Sequence, residues 1–323
     1  MAEPKPAAPE LTVVVPAFNE QESVGPMYER LVAAIGERVD GLEVLFVDDG
    51  SRDATWQRVR ELADRDPRVR GIRFARNFGH QAALTAGVDA AAGRAVVIID
   101  ADLQDPPEVI PEMIARWREG YEVVYAQREH REGETAFKKA TAAVFYRLLR
   151  RITNVEIPVD TGDFRLMGPR SVAAFRALPE RNRFIRGLVS WIGFPQAAVR
   201  YRRAARHAGE TKYPLRKMVR FALDGITSFS FLPLRLATWL GFAVSVLSFL
   251  YIVVVIVLKL AGINWPGYTS MMASILFLGG VQLVMIGLLG EYVARIFDEV
   301  KRRPLYLVGE STDGRVGVTP PER

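Results

Sequence analysis

The stretch VVIIDADLQDPPE, residues 96–108, together with Ala95 before it, runs five apolar residues straight into Asp100, Asp102 and Asp105, with Gln104 between them. A strand that is apolar throughout, with no polar alternation, belongs to a parallel sheet covered on both faces. In such sheets ligands gather beyond the carboxyl ends of the strands, which is where these carboxylates fall. Two readings compete for them: an acidic turn facing water, or oxygen ligands for a hard divalent cation bound with phosphates. A second acidic strand end, LFVDDGS with Asp48 and Asp49, decides for the cation.

Working outward, residues 11–128 alternate short apolar runs with amphipathic stretches. The runs are LTVVVP, LEVLFVDD, VRGIRFA, AVVIIDAD and YEVVYAQR. Between them EQESVGPMYERLVAAIGERV and ATWQRVRELADRD carry apolar residues three and four apart, the helical period. This is a doubly wound α/β pattern. After residue 130 the pattern turns helical in TAFKKATAAVFYRLLRRI, then reads as loop around NVEIPVDTGDFRLMG.

Composition bounds the chemistry. The 323 residues are 49% hydrophobic and 25% charged, which suits a folded chain. No cysteine is present, excluding disulfides, thiolate metal sites and cysteine nucleophiles. The three histidines, His80, His130 and His207, are too widely spaced for a multi-histidine metal site. The net charge of +6 is compatible with nucleic acid, an anionic membrane or phosphorylated substrates. The first ten residues, MAEPKPAAPE, lack an apolar core, so no signal peptide is expected.

Hydrophobicity is concentrated near the C-terminus. LATWLGFAVSVLSFLYIVVVIVL (236–258) and TSMMASILFLGGVQLVMIGLLG (269–290) are charge-free and long enough to cross a bilayer core. Trp265 and Tyr268 sit between them as interfacial aromatics would. Arg235 and RIFDEVKRRP outweigh Lys259 in positive charge, which predicts cytosolic termini on an inner-membrane, multi-pass protein. Residues 214–233 pair cations such as Arg216, Lys217 and Arg220 with Phe221 and Leu223, predicting an interfacial amphipathic segment. The expected organisation is a flexible 1–10, a catalytic domain over 11–213, the interfacial segment, the spans within 234–296 and a tail over 297–323. The tail has a strand-like centre, RRPLYLVGE, open to two readings: pairing with a neighbouring subunit in a homo-oligomer, or disorder.

Three strand ends hold the candidate chemistry. VVVPAFNEQES closes the first strand with Pro16, Asn19 and Glu20, without the glycine-rich turn a dinucleotide site needs. One of Asp48 and Asp49 is placed to accept hydrogen bonds from a base or ribose, while Ser51 or Asp53 caps the next helix. On an extended segment Asp100, Asp102 and Gln104 would share a face, three oxygen donors for magnesium or manganese.

These stretches in this order resemble glycosyltransferase family 2, nucleotide-sugar enzymes of the GT-A fold. RNFGHQAALTAG (76–87), TGDFRLM (161–167), LPERNRFIRGL (178–188), RHAGETKY (206–213) and FALDGITSFSFLPL resemble its polyprenyl-phosphate branch, and the resemblance spans about residues 10 to 300. It implies an α/β GT-A domain, Rossmann-like with a mostly parallel sheet, followed by two transmembrane helices. It also implies inverting transfer of a sugar from a nucleotide-diphosphate donor, uridine by preference, to undecaprenyl or another polyprenyl phosphate. Carried onto these residues, Pro16, Asn19, Glu20, Asp48, Asp100 and Arg128 would bind the nucleotide sugar. Asp102 and Gln104 would hold the divalent metal, Mg2+ or Mn2+, and Arg183, Arg206 and Lys212 would meet acceptor phosphate. Asp163 would be the catalytic carboxylate beside Asp102, orienting the sugar or acceptor or removing a residual proton. The partners so implied are donor, lipid and membrane, with no nucleic acid.

Three rivals have weaker support. A processive polysaccharide synthase would need Gln-x-x-Arg-Trp, and ARWRE (115–119) lacks the glutamine. A haloacid-dehalogenase-type phosphatase would need Thr or Val where Gln104 stands. An inactive membrane scaffold or flippase partner would not require the intact acidic set.

Overall fold

The computed structural model describes residues 8–129, 161–181, 183–202, 232–262 and 267–314. They form two units: a sheet unit that includes the C-terminal residues from 303 onward, and an apolar helical unit.

The sheet unit opens with the alternation read from the sequence: β1 (Leu11–Ala17), α1 (Val24–Ile35), β2 (Leu42–Asp48), α2 (Thr55–Arg65), β3 (Val69–Phe74), α3 (His80–Ala90) and β4 (Ala95–Ile98). There follow α4 (Ile110–Arg118), β5 (Val123–Arg128), β6 (Thr161–Met167), α5 (Pro169–Ala177), α6 (Ile185–Trp191), β7 (Gln196–Tyr201) and, near the end of the chain, β8 (Val308–Ser311). The sheet order is β7-β5-β6-β4-β1-β2-β3-β8. β1 runs parallel to β2 and β4, β2 to β3, and β5 to β7; β6 is antiparallel to both its neighbours. β1 and β2 are buried along their whole length, which their uninterrupted apolar runs require. Met27, Leu31 and Ile35 of α1 and Trp56 and Val59 of α2 close one face of the core.

Two segments depart from expectation. TGDFRLM, read as loop, is the buried strand β6 between β4 and β5. Gly162, Asp163 and Arg165 hid it from a pattern search, since each is unfavourable in an ordinary central strand. The centre of the tail, read as pairing with a neighbouring subunit or as disordered, pairs with its own chain: β8 lies antiparallel on β3. There Tyr306 stacks on Phe74 at 5.1 Å and donates to Asp89, and Trp56 Nε1 and Arg73 donate to Glu310. The open edge of β3 is thereby covered.

In the second unit, α7 (Leu232–Leu260) and α8 (Tyr268–Lys301) contain stretches of mean hydropathy 2.8 and 2.2, with none of their apolar windows buried. Both are long and apolar enough to cross a membrane. α8 continues about three turns past the charge-free run, carrying an i,i+4 pair between Glu291 and Arg295. Arg302 ends it in the left-handed conformation, two residues before Pro304. The segment 214–231, expected at the interface, lies outside the described residues.

Candidate active site

β1, β2 and β4 end at Ala17, Asp48 and Ile98, and a cavity of about 330 Å³ opens beyond their tips. Pro16, Phe18 and Glu20 line it from the first strand end, Asp49 from the second, Asn77, Gly79 and His80 from the start of α3, and Asp100 and Asp102 from the loop after β4.

The two aspartates after β2 do different work. Asp48 is fully buried; its Oδ1 accepts the Ser51 N–H at 2.9 Å, and its Oδ2 lies 3.4 Å from Arg73 Nε. Burial raises its pKa more than Ser51 and Arg73 lower it. Asp49 faces the cavity and accepts the N–H groups of Phe78 at 2.7 Å and Gly79 at 3.0 Å. Gly50 permits this: its φ is +71°, and a Cβ there would meet the Arg76 carbonyl carbon at 2.6 Å. Asn19, at φ 58°, accepts the Arg52 N–H and donates its own to Ser51. Asn19, expected at the nucleotide, thus knits the two turns together; Asp48, expected there too, is bound within its own turn and to Arg73, and Asp49 is the one that lines the cavity. Asp53 accepts the Thr55 N–H at the start of α2, as a cap does.

The loop after β4 corrects a second expectation. The strand ends at Ile98, Leu103 adopts φ 59°, and Asp102 Oδ1 accepts the Gln104 N–H at 3.1 Å. Residues 100–104 are a turn, so alternation along an extended segment does not apply. Asp100 and Asp102 line the cavity, whereas Gln104 is buried and does not. Asp105, also buried, accepts from the Tyr201 hydroxyl. Arg128, expected at the donor, donates from Nε to that same hydroxyl at 3.2 Å.

Asp100, like Asp48, has one buried oxygen outside any hydrogen bond. Its Oδ1 is buried without a hydrogen bond, 3.6 Å from His80 Nε2. Burial pushes its pKa up to about 6; His80 counters this in part, and nearby Asp163, Asp105 and Asp102 reinforce it. β6 brings Asp163 alongside. Arg186 donates to both its oxygens, at 2.9 and 3.2 Å, and His80 Nε2 lies 3.3 Å from Oδ2. Burial alone would raise the Asp163 pKa, but the His80 hydrogen bond and the Arg186 charge hold it far below the carboxylate range. Burial likewise disfavours charge on His80, yet Asp163 and Asp100 together raise its pKa. Arg165, buried in β6, donates to the carbonyls of Gly162 and Asp163.

Arg183, expected at acceptor phosphate, is buried among its own loop. It donates to the carbonyls of Leu178 and Glu180 and packs on the Phe175 ring at 5.0 Å. The arginine that reaches Asp163 is Arg186, in the first turn of α6. Arg206 and Lys212 lie outside the described residues. His80 and Arg186 were not singled out from sequence; their signal is position alone, one residue after Gly79 at a helix start and three after Arg183 in the same motif.

Among the described residues no group of three His, Asp or Glu side chains is placed to hold a metal ion by itself. Asp100 and Asp102 nevertheless fit a hard cation. They supply oxygen only, one of those oxygens is buried without a partner, and magnesium or manganese completes its shell with water and ligand phosphates.

A family model described as glycosyl transferase family 2 matches residues 12–174, and one described as GtrB C-terminal hairpin matches residues 232–296. An uncharacterized glycosyltransferase, YkcC, of Bacillus subtilis (strain 168) is 52% identical over 301 residues, covering 93% of each chain. The SfII prophage-derived bactoprenol glucosyl transferase of Shigella flexneri is 45% identical over 306 residues, 94% of this chain and 99% of the relative. Among solved structures, a glucosyl-3-phosphoglycerate synthase from Mycobacterium tuberculosis, in complex with Mn2+, UDP-glucose and phosphoglyceric acid, is similar at TM-score 0.46 and 21% identity. It covers 67% of this chain and 77% of that one.

Proposed function

The chain belongs to glycosyl transferase family 2, and on that premise we propose that it transfers glucose from UDP-glucose to a polyprenyl phosphate at the cytosolic face of a membrane. The observation that carries this reading is the cavity at the tips of β1, β2 and β4, where acidic side chains surround one unpartnered carboxylate oxygen. The choice of glucose and of a bactoprenol-type acceptor rests on relatives so named that match along nearly the whole chain.

In this reading Pro16, Glu20 and Asp49 receive the nucleoside, and Asp100 and Asp102 hold the cation. A bound divalent cation would neutralise charge on the leaving diphosphate. The acceptor is a phosphate monoester with a second pKa of about 6, so at neutral pH it attacks without a strong base. Asp163 suits that chemistry. Held by Arg186 and His80, it is a poor proton acceptor and a good orienting group. Arg128 adds positive charge near the donor side, and Arg206 and Lys212 remain candidates for the acceptor phosphate. The direct displacement inverts the anomeric carbon.

The apolar helices support the choice of a lipid acceptor. Two spans return the chain to the side it left, in keeping with a tail that rejoins the sheet unit at residue 303. The cations Arg295, Lys301, Arg302 and Arg303 follow the second span, against Lys259 between the two, which favours a cytosolic catalytic unit. The test is turnover by purified protein given UDP-glucose and undecaprenyl phosphate. Lipid-linked glucose and UDP should appear in equal amounts and only with both substrates; UDP release indifferent to the lipid would contradict the reading.

A further inference from the structure

His80 lines the cavity and enters the reaction above only through its contact with Asp163. It stands at the first position of α3, and its Nε2 faces two carboxylates that the fold brings from different places. Asp163 Oδ2, on β6, lies 3.3 Å away, and Asp100 Oδ1, just past β4, lies 3.6 Å away. The ring's own mounting is rigid. Gly79 before it takes φ 99°, and the N–H groups of Phe78 and Gly79 are both held by Asp49. Asp49, His80 and Asp163 therefore form a continuous line of contacts from the nucleotide side of the cavity to the acceptor side.

We propose that His80 is a positioning residue for glucosyl transfer, its imidazole N–H anchoring the carboxylate of Asp163 at 3.3 Å while the ring stands 3.6 Å from Asp100 and spaces the two carboxylates. The proposal rests on the transferase reading given above. Two carboxylates this close repel, and neither backbone alone prevents them from rotating apart. Arg186 grips both oxygens of Asp163; His80 adds a further contact at Oδ2 from another element of the fold. The N–H is present both in the charged ring and in the neutral Nε2-protonated tautomer, so the tie does not depend on titration. Placement matters because a misalignment of about 1 Å at reacting groups costs on the order of a hundredfold in rate.

The test compares His80→Leu, which keeps bulk and loses the donor, with His80→Gln, whose side-chain amide can restore an N–H near the same point. Turnover is measured with UDP-glucose and undecaprenyl phosphate in detergent micelles, and thermal unfolding is followed in parallel. For His80→Leu, kcat should fall about tenfold to a hundredfold with little change in the KM for UDP-glucose, the loss expected for one charge-assisted hydrogen bond. The melting temperature should hold, since the ring is 45% exposed. His80→Gln should recover most of kcat. Combining His80→Leu with Asp163→Asn should cost scarcely more than the worse single change, because both break one contact. Unimpaired kcat in His80→Leu, no recovery in His80→Gln, or fully multiplicative losses in the double variant would each overturn the proposal while leaving the transferase reading intact. Absence of lipid-linked glucose from the wild-type protein would overturn both.

Discussion

The two ends of the sheet each hold a carboxylate with a buried oxygen, and they treat it oppositely. At the amino end Glu43 of β2 accepts from the Thr12 hydroxyl, from the Ala92 N–H at 2.9 Å and from Arg70 at 2.6 Å. At the carboxyl end Asp100 keeps a buried oxygen with no hydrogen bond, beside Asp102 and Asp163. A buried charge with its donors in place is part of the scaffold. One left short at the mouth of a cavity, as at Asp100, is what the proposed cation and its phosphates would complete.

Substitutions should separate the two ends. Asp102→Asn should reduce transfer by about a hundredfold to a thousandfold, the scale of lost charge stabilisation in a transition state, with melting unchanged. Near-normal turnover in that variant would remove the cation site from the account. Glu43→Ala should do the reverse. It strands Arg70 and the Ala92 N–H, lowers stability by about 2–3 kcal/mol and leaves the kcat of the folded fraction alone. A Glu43→Ala protein that melts normally would erase the contrast.

Acidity sharpens it further. The Asp100 pKa is raised from 3.8 to about 6, so the folded state binds a proton more readily than the unfolded chain. The sheet unit is favoured by this group at low pH and loses that stability as pH rises from about 4 through about 6. Asp100→Asn should flatten that part of the stability profile. Wild-type affinity for a divalent cation should weaken as pH falls below about 6, because the proton and the cation compete for Asp100. The smallest effect is expected at the covered edge. Glu310→Ala removes the partner of Trp56 and Arg73, yet its half-exposed carboxylate is screened by water, and a loss under about 1 kcal/mol is expected on melting.

The parallel strands were legible because their sequences say one thing without interruption: LTVVVP and LEVLFVDD are apolar on both faces. β6 was not, because Asp163 and Arg165 are tolerable in a central strand only once His80, Arg186 and two backbone carbonyls satisfy them, and those partners are distant in sequence. The acidic set was found by its position at a strand end, while its internal geometry escaped. A single left-handed residue, Leu103, turned the presumed extended triad into a loop that presents Asp102 and buries Gln104. Charge alone also misled at Arg183, whose guanidinium serves its own loop, and at the adjacent Asp48 and Asp49, which sequence could not rank.

The central claim, that the acidic pocket beyond the strand tips takes a cation together with a diphosphate, is tested most directly by calorimetric titration of UDP into the full-length protein. Binding should require Mg2+ or Mn2+, vanish in excess chelator and be lost in Asp102→Asn. Equal affinity with and without the cation, or undiminished binding by Asp102→Asn, would contradict it.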